Sequence, residues 1–172
     1  YKWVEEHIIS DYFSGIANSV KGRDEILLFN PAVSHLLKVG TPEAINDTLS
    51  NSTFNNAKYV FLCVNNSVDK QRADSGTHWS LLFIDRGVCK AYHIDSVLGV
   101  NLSSAVNILR NLNVPQSSLV EIKCQQQAND FECGLNVIVN AKFIVNYYCS
   151  PRRKEEFTDW FYCNVVTLPD CP

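Results

Sequence analysis

Two seven-residue runs limit what this chain can fold into. Residues 58–64 (Lys-Tyr-Val-Phe-Leu-Cys-Val) and 78–84 (His-Trp-Ser-Leu-Leu-Phe-Ile) are apolar almost throughout, without the polar alternation of a strand that has one wet face. They are read as strands covered on both sides. Asp85-Arg86-Gly87 follows the second run as a hairpin turn into a further strand over 88–94. Residues 119–123 give a last strand and 25–29 a short first one.

Between the strands lie helical patterns. Val4, Ile8, Ile9, Tyr12, Phe13, Ile16 and Val20 recur at helical spacing, predicting an amphipathic helix over 4–20. Asn30-Pro31 supplies a cap and a first-turn proline for a second helix to about 38, which Gly40 ends. Thr41-Pro42-Glu43 repeats the signal for a short third helix to about 49, and 103–111 forms a fourth. After Pro151, residues Glu155, Phe157, Trp160 and Phe161 predict a terminal helix. The fold expected is α+β, a central sheet flanked by helices. It forms one domain of 172 residues: 1–57 mainly helical, 58–150 the sheet and the helix after Cys133, and 151–172 a helical tail.

That last helix has an unusual entrance. Gln125-Gln126-Gln127-Ala128-Asn129-Asp130-Phe131-Glu132 is a polar, amide-rich loop that ends at Cys133-Gly134, and a proline-free, largely apolar run continues to about Tyr148. Cys133 therefore falls at the first turn of a buried helix. Unpaired backbone N–H groups and the positive end of the macrodipole favour a thiolate there. A buried structural cysteine capping a core helix is the competing reading, and the rest of the chain decides between them.

Charge narrows the field. Fifteen basic against eighteen acidic residues leave a net charge of −3, which gives no electrostatic case for nucleic acid or an anionic membrane as partner. No apolar run is long enough to span a bilayer, and the N-terminus shows no signal-peptide pattern. Methionine is absent even at position 1, so a trimmed N-terminus is expected. The seven cysteines (63, 89, 124, 133, 149, 163, 171) are odd in number and lack C-x-x-C or Cys/His metal spacing. They point to a reducing cytoplasmic or nuclear setting, with no metal and no cofactor. Asn46, Asn51, Asn65 and Asn101 each match the N-glycosylation acceptor pattern, which chance accounts for in so asparagine-rich a chain.

A cysteine hydrolase needs a nucleophile, a base, a group that orients the base and donors for an oxyanion. His78 starts a strand directly after a polar loop, and Asp95 ends the strand paired with it. Antiparallel pairing through the turn at 85–87 brings the two within reach. His93 is a competing base, since alternation puts it on the same face as Asp95, but it sits mid-strand and away from a loop edge. Gln127, six residues before Cys133, lies on the loop that wraps the sulfur and is the candidate oxyanion donor. No single residue here is specific; the ordered set His, Asp, Gln, Cys is.

Gly76-Thr77-His78-Trp79-Ser80-Leu81-Leu82, His93-Ile94-Asp95-Ser96 and Gln127 through Gly134 resemble the three signature blocks of the Ulp/sentrin-specific cysteine proteases. Those enzymes remove ubiquitin-like modifiers. Trp3 with His7-Ile8-Ile9 upstream resembles the deneddylase branch most. The resemblance implies an Ulp/adenain-type mixed sheet with the nucleophile at a helix N-terminus. It implies His78 as base, Asp95 as its orienter, Cys133 as nucleophile and Gln127 as oxyanion donor. Substrate contacts would come from Trp3, Glu5, Glu6, Trp79 and Asn129, with the two indoles forming a tunnel that admits only a Gly-Gly tail. The modifier, that of neddylation first, would dock on the 65–77 loop and the first helix of a monomer. Glu132 stands where the family usually has aspartate, and Val4-Glu5-Glu6 where it has Leu-Asn-Asp. The other readings are a SUMO-specific protease, a clan-related acyltransferase and a catalytically silent modifier-binding domain. Papain-like hydrolases place cysteine before histidine, the reverse of the order here.

Overall fold

The computed structural model describes residues 3–70, 72, 75–150 and 156–161. Five strands, β1 (Ile26–Phe29), β2 (Tyr59–Asn65), β3 (Trp79–Asp85), β4 (Lys90–Asp95) and β5 (Leu119–Lys123), form one sheet in the order of the chain. β1 runs parallel to β2, β2 antiparallel to β3, β3 antiparallel to β4, and β4 parallel to β5. Both parallel pairs need a crossover. α2 (Pro31–Val39) and α3 (Pro42–Ser50) supply the first, α4 (Leu102–Asn111) the second.

The central runs lack alternation because both faces are covered. On one side α1 (Glu6–Ser19), α5 (Cys133–Cys149) and α6 (Phe157–Phe161) pack on Phe61, Cys63, Leu81, Phe83, Tyr92 and Ile94 through Ile9, Phe13, Ala141, Ile144 and Phe157. On the other, Leu37, Ala105, Ile108 and Leu109 pack on Val60, Leu62, Val64, Leu82 and Ile84. Successive strand residues thus enter opposite cores. Each fully buried large apolar side chain contributes about 1.5–3 kcal/mol, so the two cores together fix the sheet between its helical layers.

The start signals act as expected. Asn30 accepts from the Val33 N–H at 2.8 Å and Thr41 from Ala44 at 3.3 Å, each with proline in the first turn. α1 begins at Glu6 rather than near Val4, which leaves Trp3–Glu5 as an extended approach to the site. The β3–β4 turn is longer than Asp85–Gly87: it runs on to Cys89, whose φ of +54° reverses the chain. β1, from the mainly helical first lobe, pairs with β2 of the second, so the lobes share one sheet. Residues 151–155 and 162–172 of the tail, with Glu155, Cys163 and Cys171, lie outside the described residues. Asn65 and Asn101 are buried at 3% and 0% exposure, which removes them as glycosylation acceptors.

Candidate active site

The site lies where three chain segments meet at one end of the sheet. His78 directly precedes β3, Asp95 closes β4, and Cys133 is the first residue of α5. Pairing of Leu81 with Ile94 sets the ends of β3 and β4 side by side. The His78 imidazole then lies on the Asp95 carboxylate, Nε2 to Oδ1 at 2.5 Å. Cys133 faces the same imidazole closely enough to act on its titration, so the ring lies between carboxylate and sulfur. Burial pulls the His78 pKa down, but hydrogen bonds from Asp95 and Cys133 and the charges on both outweigh it and raise the value to about 9.

Asp95 is itself held. Oδ1 also accepts from the Val97 N–H at 3.0 Å, and Oδ2 accepts from the Asn101 N–H at 3.1 Å. The His78 backbone is fixed by two asparagines: its N–H donates to Asn66 Oδ1 at 3.2 Å and its carbonyl accepts from Asn101 Nδ2 at 3.2 Å. His93 shares the face of Asp95, as alternation requires, but lies deeper. Its Nε2 meets Ser80 Oγ at 2.9 Å and is 4.0 Å from Asp95 Oδ2, and burial lowers its pKa. The pair with geometry for proton transfer to sulfur is therefore His78 with Asp95.

Parallel pairing of Asp95 with Lys123 carries the loop after β5 alongside the backbone that follows β4. Gln126 Nε2 donates to the Asp95 carbonyl at 2.9 Å, and its Oε1 accepts from the Leu98 N–H at 3.1 Å. Gln127 is tied down by its N–H to the Ser96 carbonyl at 3.0 Å and by Oε1, which accepts from Ser96 Oγ at 2.7 Å. Its Nε2 donates to the Asn129 carbonyl at 2.6 Å, which leaves a second amide hydrogen to point elsewhere. Asn129 is a turn-former in this structure. Its Oδ1 accepts from the N–H groups of Phe131 and Glu132, at 3.2 and 3.1 Å, and so shapes the entry to α5. The first intrahelical bond of α5 runs from Asn136 N–H to the Glu132 carbonyl, so Cys133, Gly134 and Leu135 present the N–H groups of a helix start.

Gly134 lets the N-terminal segment cross this helix start, since a Cβ there would fall 2.7 Å from Val4 Cβ. Trp3 is thereby brought beside Trp79, and the two line a cleft of about 510 Å³ with Glu5, Glu6, His7, Ser10 and Asp11. Glu5 pairs with His7 at 3.4 Å. Cys133 is 1% exposed and lies behind the cleft rather than in its lining. Among the other thiols, burial and then the Asp95 charge push Cys124 up to about 12, and burial pushes Cys63 well above its usual value. Both are held as inert thiols. Sequence offers no site role for Asn66, Ser96 and Gln126, and marks Asn101 only as a glycosylation match, because isolated polar residues in loops carry no periodic signal of burial. No group of metal-ligating side chains occurs among the described residues.

No family model matches the chain. Known proteins do. The chain is 30% identical over 149 residues to sentrin-specific protease 8 of Homo sapiens, covering 81% of this chain and 69% of that one. It is 25% identical over 174 residues to NEDD8-specific protease 1 of Arabidopsis thaliana, covering 98% and 76%. Among solved structures, the Xanthomonas campestris effector XopD bound to ubiquitin superposes with a TM-score of 0.71 at 19% identity, over 84% of this chain and 75% of that one. The SUMO protease Ulp1 with its cysteine oxidised to a sulfinic acid gives 0.63 at 17% identity, over 92% and 72%. A helix-flanked mixed sheet of this topology is the fold of the Ulp-type thiol proteases. Within that class, the chain belongs to the Ulp/sentrin-specific cysteine protease family, beside the sentrin-specific protease 8 and NEDD8-specific protease sequences.

Proposed function

We propose that the protein hydrolyses the bond after the Gly-Gly tail of a ubiquitin-like modifier, with the neddylation modifier as first choice. The observation that carries the reading is the His78 imidazole held between Asp95, at 2.5 Å, and Cys133 at the start of α5. The names of the relatives support the choice of modifier.

In this reading Cys133 Sγ attacks the carbonyl carbon of the terminal glycine as its proton passes to the imidazole of His78. The carbon–sulfur bond forms as the carbonyl becomes an oxyanion. The N–H of Cys133 at the helix start and the spare Gln127 amide hydrogen stabilise that charge. Collapse breaks the carbon–nitrogen bond, and the His78 imidazolium gives its proton to the leaving amine. Water, deprotonated by the now neutral imidazole, releases the modifier and regenerates the thiol. Asp95 keeps Nε2 occupied so that the other ring nitrogen faces sulfur. Trp3 and Trp79 frame the approach, where a glycine tail has the advantage of carrying no side chain. A thiol enzyme of this kind works reduced, which fits cytoplasm or nucleus.

The test is a panel of ubiquitin-like modifiers bearing a C-terminal electrophile, scored by adduct formation. An adduct on Cys133 with the neddylation modifier, absent from Cys133→Ala, is the expected result. Reaction with a SUMO probe instead would move the protein to the desumoylases, and no adduct with any modifier would overturn the assignment.

A further inference from the structure

α2 lies on the side of the sheet away from Cys133, yet it reaches the loop that follows β2. His35 and Lys38, three residues apart, share one helix face. Together they take three carbonyls at alternate positions, from the last residue of β2 onward. Lys38 Nζ donates to the carbonyls of Asn65 and Ser67, the latter at 2.7 Å, and His35 Nε2 lies 2.6 Å from the carbonyl of Asp69. A carbonyl only accepts, so His35 carries its proton on Nε2. Lys38 is 7% exposed, and burial lowers its pKa to about 8. Burying a lysine for carbonyls alone works against stability.

What the clamp holds is the residue between the two carbonyls. Asn66 Oδ1 accepts from the N–H of Thr77 at 2.8 Å and of His78 at 3.2 Å, and its Nδ2 donates to Thr77 Oγ1 at 3.0 Å. Gly76 makes that approach possible, because a Cβ there would fall 1.8 Å from Asn65 Oδ1 and 2.6 Å from Asn66 Oδ1. The path from α2 to His78 is thus Lys38 to the Asn65 and Ser67 carbonyls, then Asn66, then the His78 N–H. His78 lies outside the β3 ladder, so side chains rather than strand pairing locate its backbone.

We propose that Lys38 is a positioning residue for the reaction: by fixing Asn65–Ser67 it sets where Asn66 holds His78, and so where the imidazole meets Cys133. The proposal rests on His78 being the base of the function proposed above. Lys38→Met keeps most of the stem and removes the donors. Two readouts follow: the imidazole resonances of His78 titrated by NMR, and turnover of the neddylation modifier carrying a C-terminal aminocoumarin. The expected result is a His78 titration shifted down from about 9, and kcat at least ~10-fold lower with KM within about twofold of wild type. An unchanged titration with unchanged kcat would overturn the proposal. Should Lys38→Met not fold, Asn66→Ala cuts the same path at its other end and must move the titration the same way; no movement overturns it. If the wild type turns over no modifier, the functional reading falls, while the titration still decides the role of Lys38.

Discussion

The N–H of Asn101 donates to Asp95 Oδ2, while the His78 imidazole occupies Oδ1 of the same carboxylate. Asn101 also gives its amide to the carbonyls of Val64 and His78 and to Ser80 Oγ, at 3.1 to 3.2 Å. One fully buried residue therefore ties the end of β2 and the start of β3 together by its side chain and holds the orienting acid by its backbone N–H. Asn101→Leu would strand those acceptors, at a cost of about 1–3 kcal/mol for each buried group left unpaired. Asn101→Asp is expected to be worse, because oxygens replace a donor that faces three oxygens. Chemical denaturation should rank wild type above Asn101→Leu above Asn101→Asp, and a reversed order of the variants would refute the donor role.

The raised His78 pKa makes a pH prediction. Its ordinary value near 6.5 becomes about 9 in the fold, so between those values the folded protein holds a proton that the unfolded chain has released. The stabilisation is complete below about 6.5 and is lost as pH rises through 9, with a slope approaching ~1.4 kcal/mol per pH unit. Asp95→Asn removes the strongest hydrogen bond opposing burial and should lower the His78 pKa. The slope then shrinks, and the alkaline limb of kcat/KM moves to lower pH. Urea titrations at pH 6, 7.5 and 9 on both proteins check this; equal slopes would argue against the ion pair.

The sheet and the His78–Asp95 approach were both readable from residue order, because antiparallel pairing through the turn after Asp85 leaves few registers. Cys133 at a helix start was readable for the same reason, a polar loop meeting an unbroken apolar run. The holding residues were not. Asn66, Ser96, Asn101 and Gln126 look like ordinary loop asparagines, glutamines and serines, and only tertiary packing buries their amides or aims them at backbone. The turn before α5, shaped by Asn129 Oδ1, was likewise not readable from the local sequence. The longer β3–β4 turn was hidden because it depends on a cysteine at positive φ, which nothing in the local sequence favours.

Gly134 sets the approach of the N-terminal segment. It lies in the first turn of α5, where alanine gains less over glycine than the ~1 kcal/mol of a helix interior. The added Cβ, however, would meet Val4 Cβ at 2.7 Å and Cγ1 at 3.1 Å, so the Trp3–Glu5 segment must shift away from the helix. Gly134→Ala is therefore expected to raise KM several-fold by moving Trp3 from Trp79, with kcat nearly kept. An unchanged KM would show that Trp3 plays no part in substrate approach.

A control far from the site sits at the other end of α5. Tyr148 Oη donates to Asp85 Oδ2 at 2.7 Å, and the opposite oxygen accepts from the Gly87 N–H at 2.8 Å. Asp85 is 4% exposed, so its carboxylate depends on these donors. The tyrosine ring also packs on Tyr59 and Phe83, contacts that phenylalanine would keep. Tyr148→Phe thus removes the hydrogen bond to Asp85 and leaves the packing. It should cost about 1.5–3 kcal/mol, the range for a bond to a charged group, with kcat/KM at saturating stability unchanged. Because α5 also carries Cys133, a parallel loss of activity below the unfolding transition would mean that strain at Tyr148 is transmitted along the helix, and that the two ends of α5 are not energetically independent.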